Sequence, residues 1–268
     1  SKMLIDIGVN LSNSRFDKDI EQVIERAQTV GIERLILTGT SVEESRAVIA
    51  ICEKFESQFP GMLWATAGIH PHDAKALSPS GLSEIRKLAS HQAVVAIGET
   101  GLDFHRTLST EKQQEKSFEA HIELAIEFNM PLFLHERDAA PRQIQMLQSY
   151  RDNICNGVIH CFTGDKKTLF RYLDMDLHIG ITGWVCDERR GQELQKIVKN
   201  IPLDRLMLET DAPYLTPRNM PTKPKNGRNE PAFLAHVLEG IAAVRAEHTD
   251  EIATTTTATA IKFFGLTK

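Results

Sequence analysis

Short apolar runs alternate with longer amphipathic stretches along the whole chain. Residues 4 to 8 form an apolar strand pattern, and residues 17 to 30 then carry Ile20, Val23, Ile24, Ala27 and Val30 on one helical face, closed by Gly31. The same alternation predicts strands over 34–37, 63–67, 94–97, 131–134, 157–159, 177–179 and 206–208. Helices are predicted over 42–59, with Ser41 as N-cap, and over 82–90, 111–128, 141–150, 166–173 and 191–199. A helix opened by Pro231 reaches residue 245, and a last segment covers 250–264. The run over 94–97 is continuous rather than alternating, which marks a strand buried on both faces.

Eight strand-plus-helix units, with strands starting every ~30 residues, imply parallel pairing, because each crossover needs a dozen or more residues. The closed solution is an α/β fold of the (β/α)8 TIM-barrel type. Its rival is an open doubly wound sheet, but the GxGxxG turn that marks one is absent from DIGVNLSNS after the first strand. A length of 268 residues suits one barrel, so residues 1–268 are expected to form a single domain.

In such a barrel the residues past the C-terminal ends of the strands ring one mouth, so sequence spacing becomes proximity. Four strands end in chemistry: AVVAIGE delivers Glu99, PLFLH delivers His135, GVIH delivers His160, and LMLETD delivers Glu209 and Asp211. Two neutral imidazoles with one or two carboxylates are a ligand set for a divalent cation with open positions left for water and substrate. A metal there would lower the pKa of a bound water and neutralise charge on a phosphoryl or carbonyl oxygen. Asp211 is placed to bind that metal, to orient the water or to take its proton. Singly, each of these residues has a bland reading as a hydrogen-bonded histidine or a helix-capping aspartate; the joint placement is what carries the inference. The same chemistry would serve a hydrolase of ester or C–N bonds. His121, His178, His236 and His248 do not sit at strand ends and read as structural or surface residues.

Composition narrows the field. Hydrophobic content of 41% supports a buried core, and no apolar run approaches the ~20 residues of a membrane span, so no membrane contact is expected. A net charge of −5 argues against gripping nucleic acid through a broad basic surface, although Arg189 with Arg190, and Lys223, Lys225 and Arg228, concentrate positive charge locally. The four cysteines show no CxxC spacing and read as reduced thiols. SKMLIDIGVNL has no basic segment followed by a long apolar core, which makes the cytoplasm the expected compartment, and the leading Ser1 and Lys2 read as a vector-derived remnant.

GIHPH at 68–72, GETGLDF at 98–104, MPLFLHERDA at 130–139, HCFTG at 160–164, GITGWVCDERR at 180–190, ETDAPYL at 209–215, RNEP at 228–231 and the closing FFGL together resemble the TatD family of metal-dependent deoxyribonucleases. These blocks run from end to end of the chain. The resemblance implies an amidohydrolase-type barrel hydrolysing phosphodiesters, 3′ to 5′ on single-stranded DNA, with RNA a further substrate. It also implies a role in DNA repair or nucleic-acid turnover and a divalent metal, Mg2+ ahead of Mn2+ or Zn2+; a monomer is the expected state of the chain. Most relatives end strand one with an HxH pair that holds a second metal; here Gly8 and Asn10 stand at those positions. The expectation is therefore one firm site of Glu99, His135 and His160, and a weak second one using Asp211, the other face of Glu99 and Asp6. The lost pair also keeps a non-catalytic binding protein in view. Around the metals, the resemblance favours His70 as a contact to substrate phosphate, with His72 in a loop hydrogen bond. Arg137 would hold a phosphate through its planar fork, unless it sits in a structural ion pair. Asp103 would touch the sugar or brace a ligand, and Trp184 would stack a base or pack in the core.

Overall fold

The computed structural model describes residues 3–266; the leading Ser1 and Lys2, read above as a remnant, lie outside them. The elements are β1 (Leu4–Val9), α1 (Ile20–Thr29), β2 (Ile32–Leu37), α2 (Val42–Phe55), β3 (Leu63–Ala67), α3 (Pro79–Ala89), β4 (Val94–Asp103), α4 (Glu111–Phe128) and β5 (Leu132–Arg137). They continue as α5 (Ala140–Tyr150), β6 (Gly157–Ile159), α6 (Lys166–Asp174), β7 (His178–Ile181), α7 (Gln192–Ile197), β8 (Leu206–Leu208), α8 (Leu234–Ala242) and α9 (Thr249–Phe264). Strand order follows the chain from β1 to β8, the order of the (β/α)8 class.

Contacts divide the chain into two compact units. A central unit comprises Thr38–His160 and Lys167–His178; a flanking unit comprises the residues up to Leu37, Cys161–Lys166 and those from Ile179 onward. In the central unit β3, β4, β5 and β6 pair in parallel, and every residue of β3 and β4 is buried. Its helices start where the side chains dictate. The Ser41 hydroxyl accepts the Glu44 N–H and the Ser78 hydroxyl the Gly81 N–H. Thr110 and Gln113 form a reciprocal capping box, and Asn129 closes that helix in the left-handed conformation. In the flanking unit β1 pairs with β2 and β7 with β8, while β8 leads into Asp211, whose N–H reaches Gly8 O on β1 at 2.8 Å.

Element ends shift by a few residues along the chain, as where α2 stops at Phe55 rather than at residue 59, and two of the shifts bear on the site. β4 does not stop at residue 97 but continues through Glu99 to Asp103, and β5 carries on through His135 to Arg137. The reason lies in two glycines: Gly98 and Gly101 have φ of +146° and +140°, and a Cβ on them would lie 2.2 Å from Phe133 O and 1.9 Å from His135 O. Only glycine lets the β4 backbone run on against β5 there. Side-chain amides then finish the strand: Gln143 Oε1 accepts the Leu102 N–H at 2.9 Å, and Gln114 takes the Asp103 N–H and returns a hydrogen bond to the Asp103 carbonyl. The Lys223–Arg228 cluster also changes character, because Arg228 is paired with Asp19 at 2.8 Å and lies over the Phe16 ring.

Candidate active site

In the central unit a β-bulge, rather than a strand end, presents Glu99. Pairing of β4 with β5 runs Gly98↔Phe133 and resumes at Thr100↔Leu134, so Glu99 is left over, and its N–H goes to Gly39 O at 2.7 Å. A bulge re-aims the side chain it carries. Glu99 Oε2 lies 2.6 Å from His160 Nε2, 3.1 Å from His135 Nδ1 and 3.5 Å from His70 Nε2. Burial alone would raise this carboxyl, but the imidazoles of His160 and His70 and the hydrogen bonds from His135 and His160 hold it well below the usual carboxylate range. Glu99 is therefore an anion within the protein.

The imidazoles are not equivalent. His135 turns Nε2 to Asp103 Oδ2 at 2.9 Å; a carboxylate only accepts, so that nitrogen carries hydrogen and Nδ1 faces Glu99. Asp103 Oδ2 also takes His72 Nε2 at 3.2 Å, and its Oδ1 accepts the His105 and Arg106 N–H groups at 3.0 and 3.1 Å. Burial works against the charged form of Asp103, yet the His135 hydrogen bond and the Arg106 N–H keep it below its ordinary value. The same contacts raise His135 although burial opposes this. His70 is the reverse case: its Nδ1 accepts the His72 N–H at 3.0 Å, and burial pushes its pKa down to about 4. A neutral ring that accepts at Nδ1 must carry its hydrogen on Nε2, so His70 is an N–H donor. Behind it, the buried His121 accepts the Ile69 N–H at 2.9 Å and lies 2.6 Å from Ser117 O, fixing the backbone just before His70. Phe133 stacks on His160 with centroids 4.7 Å apart.

The donor atoms of His70, Glu99 and His135 lie within 4.8 Å of one another, the spacing of a cation-binding group. The tautomer of His70 takes it out of the ligand set, which leaves Glu99, His135 Nδ1 and His160 Nε2. These fit a divalent cation: a carboxylate facing ring nitrogens needs either protons or a cation between them, and Asp103 already fixes His135 in the tautomer a ligand requires.

Asp211 is oriented in the flanking unit by an amide and by backbone. It adopts φ of +55°, a left-handed conformation that aspartate tolerates better than most residues. Asn10 Nδ2 lies 3.1 Å from Asp211 Oδ1, 3.4 Å from the Asp211 carbonyl and 3.1 Å from the Ala212 carbonyl. Because carbonyls only accept, the Asn10 amide must present its NH2 here; it is a hydrogen-bond donor to Asp211. Asp6 Oδ1 takes the Gly8 and Thr210 N–H groups at 3.1 and 3.0 Å, and Oδ2 takes the Thr210 hydroxyl. Burial pushes Asp6 up to about 7 despite these bonds. Both Asp6 oxygens thus brace the segment before Asp211. Glu209, also buried, accepts the Cys161 N–H at 2.8 Å.

Arg137 is exposed at the end of β5, and its guanidinium has no partner among the described residues, so no ion pair occupies it. Trp184 carries the Arg190 guanidinium over its ring. His178, His236 and His248 make local contacts to Asn156, Glu239 and the Asp250 N–H. All four cysteines are free. Sequence reasoning missed the donor role of Asn10 and undervalued His72, whose partner is the carboxylate that holds His135. The only signal was the His-Pro-His spacing after β3.

Fold and site define an α/β barrel carrying a candidate metal centre built on a strand-borne glutamate. The family profile "TatD related DNase" matches residues 5–265. The 3′-5′ ssDNA/RNA exonuclease TatD of Rahnella sp. is 49% identical over 98% of both chains, and that of Klebsiella pneumoniae 46% identical, also over 98% of both. The crystal structure of a hydrolase TatD family protein from Entamoeba histolytica superposes with a TM-score of 0.91 at 25% identity, covering 100% of this chain and 99% of that one. The chain belongs to the TatD-related DNase family. Among the described residues no helix is long and apolar enough to cross a membrane.

Proposed function

We propose that this protein is a divalent-metal-dependent phosphodiester hydrolase that removes nucleotides from the 3′ end of single-stranded DNA, and of RNA, with residues 1–268 acting as one catalytic domain and as a monomer. The observation that carries the reading is the convergence of His160 and His135 nitrogens on one ionised Glu99 oxygen, in a chain whose relatives are named for this activity. Glu99, His135 and His160 would hold the cation, magnesium ahead of manganese or zinc. When bound it supplies an acidified water and charge neutralisation at the phosphoryl group.

The protein's own groups do the rest. Asp211 takes the proton of the attacking water, its carboxylate aimed by the Asn10 amide. His70, neutral with its hydrogen on Nε2, donates to a non-bridging phosphate oxygen, and the unpartnered guanidinium of Arg137 holds another. Asp103 keeps His135 in its tautomer rather than touching the sugar. The expected setting is the cytoplasm, in DNA repair or nucleic-acid turnover. Purified protein incubated with a 5′-labelled single-stranded oligonucleotide and Mg2+ or Mn2+ should shorten it stepwise from the 3′ end. Product no greater than that of an Asp211→Asn control would overturn the reading.

A further inference from the structure

The loop that follows β7 is built around a buried carboxylate with no part in the reaction above. A short turn at Gly183–Cys186, capped by the Thr182 hydroxyl on Trp184 N, delivers Asp187, which is 4% exposed. Its oxygens take the backbone N–H groups of Arg189 and Arg190 at 2.9 and 3.0 Å. They also take Arg189 Nη2, Arg190 Nε and Arg190 Nη2, each at 3.2 Å, with Arg189 Nε at 3.4 Å. The Arg190 guanidinium lies 4.7 Å from the centre of the Trp184 ring. Gly191 closes the loop: its N–H reaches Asp187 O at 2.7 Å, and a Cβ there would meet Trp184 O at 2.1 Å.

One acid therefore orders two arginines, and the set keeps a net positive charge. Glu188, the neighbouring acid, is taken by Arg218 at 2.6 Å and does not neutralise the pair. The side chains of Arg189 and Arg190 remain 55% and 60% exposed, and their Nη1 groups have no partner among the described residues. Long side chains usually lose rotamer freedom when they bind; here that ordering precedes binding. Guanidinium forks match phosphate oxygens, and the loop follows the C-terminal end of a barrel strand, the end at which barrel enzymes carry their substrate loops. On a chain of net charge −5, such a fixed pair is a local foothold for a polyanion rather than part of a general positive field.

We infer that Arg189 and Arg190, braced by Asp187 and Trp184, form a clamp for a backbone phosphate of the substrate strand other than the one being hydrolysed. The inference rests on the proposed nuclease reading and adds to it a preference for a chain over a dinucleotide. It is tested by fluorescence anisotropy of a labelled single-stranded oligonucleotide with the full chain in EDTA, over a series of KCl concentrations. Arg189→Ala/Arg190→Ala should raise Kd on the order of 10-fold and make the slope of log K against log salt shallower by about 0.7 for each phosphate the variant no longer neutralises. With Mg2+ present the loss should fall on KM for the strand rather than on kcat, and the advantage of a strand over a dinucleotide should disappear. Arg189→Ala alone leaves Arg190 on Trp184 and decides the matter if the double variant melts early. An unchanged Kd and salt slope would overturn the clamp, as would an equal loss on the dinucleotide, which would assign the pair to the phosphate being cut. A wild-type chain that neither binds nor shortens any strand would instead sink the nuclease reading, and the clamp with it.

Discussion

The His135–Glu99–His160 group and the Asp211 cradle orient their carboxylates with different partners. Glu99 sits among ring nitrogens, and its charge is stabilised by groups that themselves bind protons or cations. Asp211 is aimed by an amide and by backbone, through Asn10 and Gly8. The first arrangement fits a cation. The second fixes a direction through the Asn10 amide and the Gly8 carbonyl, which would suit the proton acceptor proposed above. A histidine at position 10 would remove the amide that holds Asp211 Oδ1, and with it that distinction.

Breaking the first arrangement should have the largest effect. Glu99→Gln is expected to abolish calorimetric Mn2+ binding and to lower hydrolysis by more than about 100-fold together; unchanged activity would break the comparison at its centre. Asp103→Asn should come next, weakening Mn2+ affinity by about 10- to 100-fold, because His135 loses the partner that sets its tautomer. Asn10→Ala should sharpen the contrast. We expect kcat to fall by about 10-fold with Mn2+ affinity retained, and the loss to shrink in an Asp211→Asn background, since both act through one carboxylate. A drop in metal affinity equal to that of Asp103→Asn would show that the two regions do not divide the work.

The smallest effect is on stability. Folded Asp6 titrates at about 7, above its ordinary 3.8, so between those values the folded state holds a proton that the unfolded state has released. Stability then declines as pH rises through that window. Asp6→Asn should remove this component, and thermal melts of the two proteins across the window should converge at its acidic end and diverge toward neutrality, with the variant the more stable. Parallel melting curves would show that Asp6 does not titrate there.

The eight units were legible because strands buried on both faces and helices of 3.6 periodicity leave different marks on a sequence. Glu99, His135 and His160 were legible because each follows an apolar run. What escaped depends on partners distant in sequence. The extension of β4 past Gly98 is set by how closely β5 approaches it, and the Glu99 bulge by the carbonyl of Gly39. Asn10 could be read as a weak oxygen donor until the carbonyls of Asp211 and Ala212 showed which end of its amide faces them. His70 likewise needed the His72 N–H before its tautomer could be assigned.

Gly98 and Gly101 also limit what mutation can explore. With Phe133 O and His135 O so near, neither position has room for a side chain. The backbone beneath Glu99 is therefore closed to gradual change. Altered metal preference or substrate range in descendants of this protein must arise at the surrounding histidines, arginines and loops, where single substitutions leave the strand pair intact.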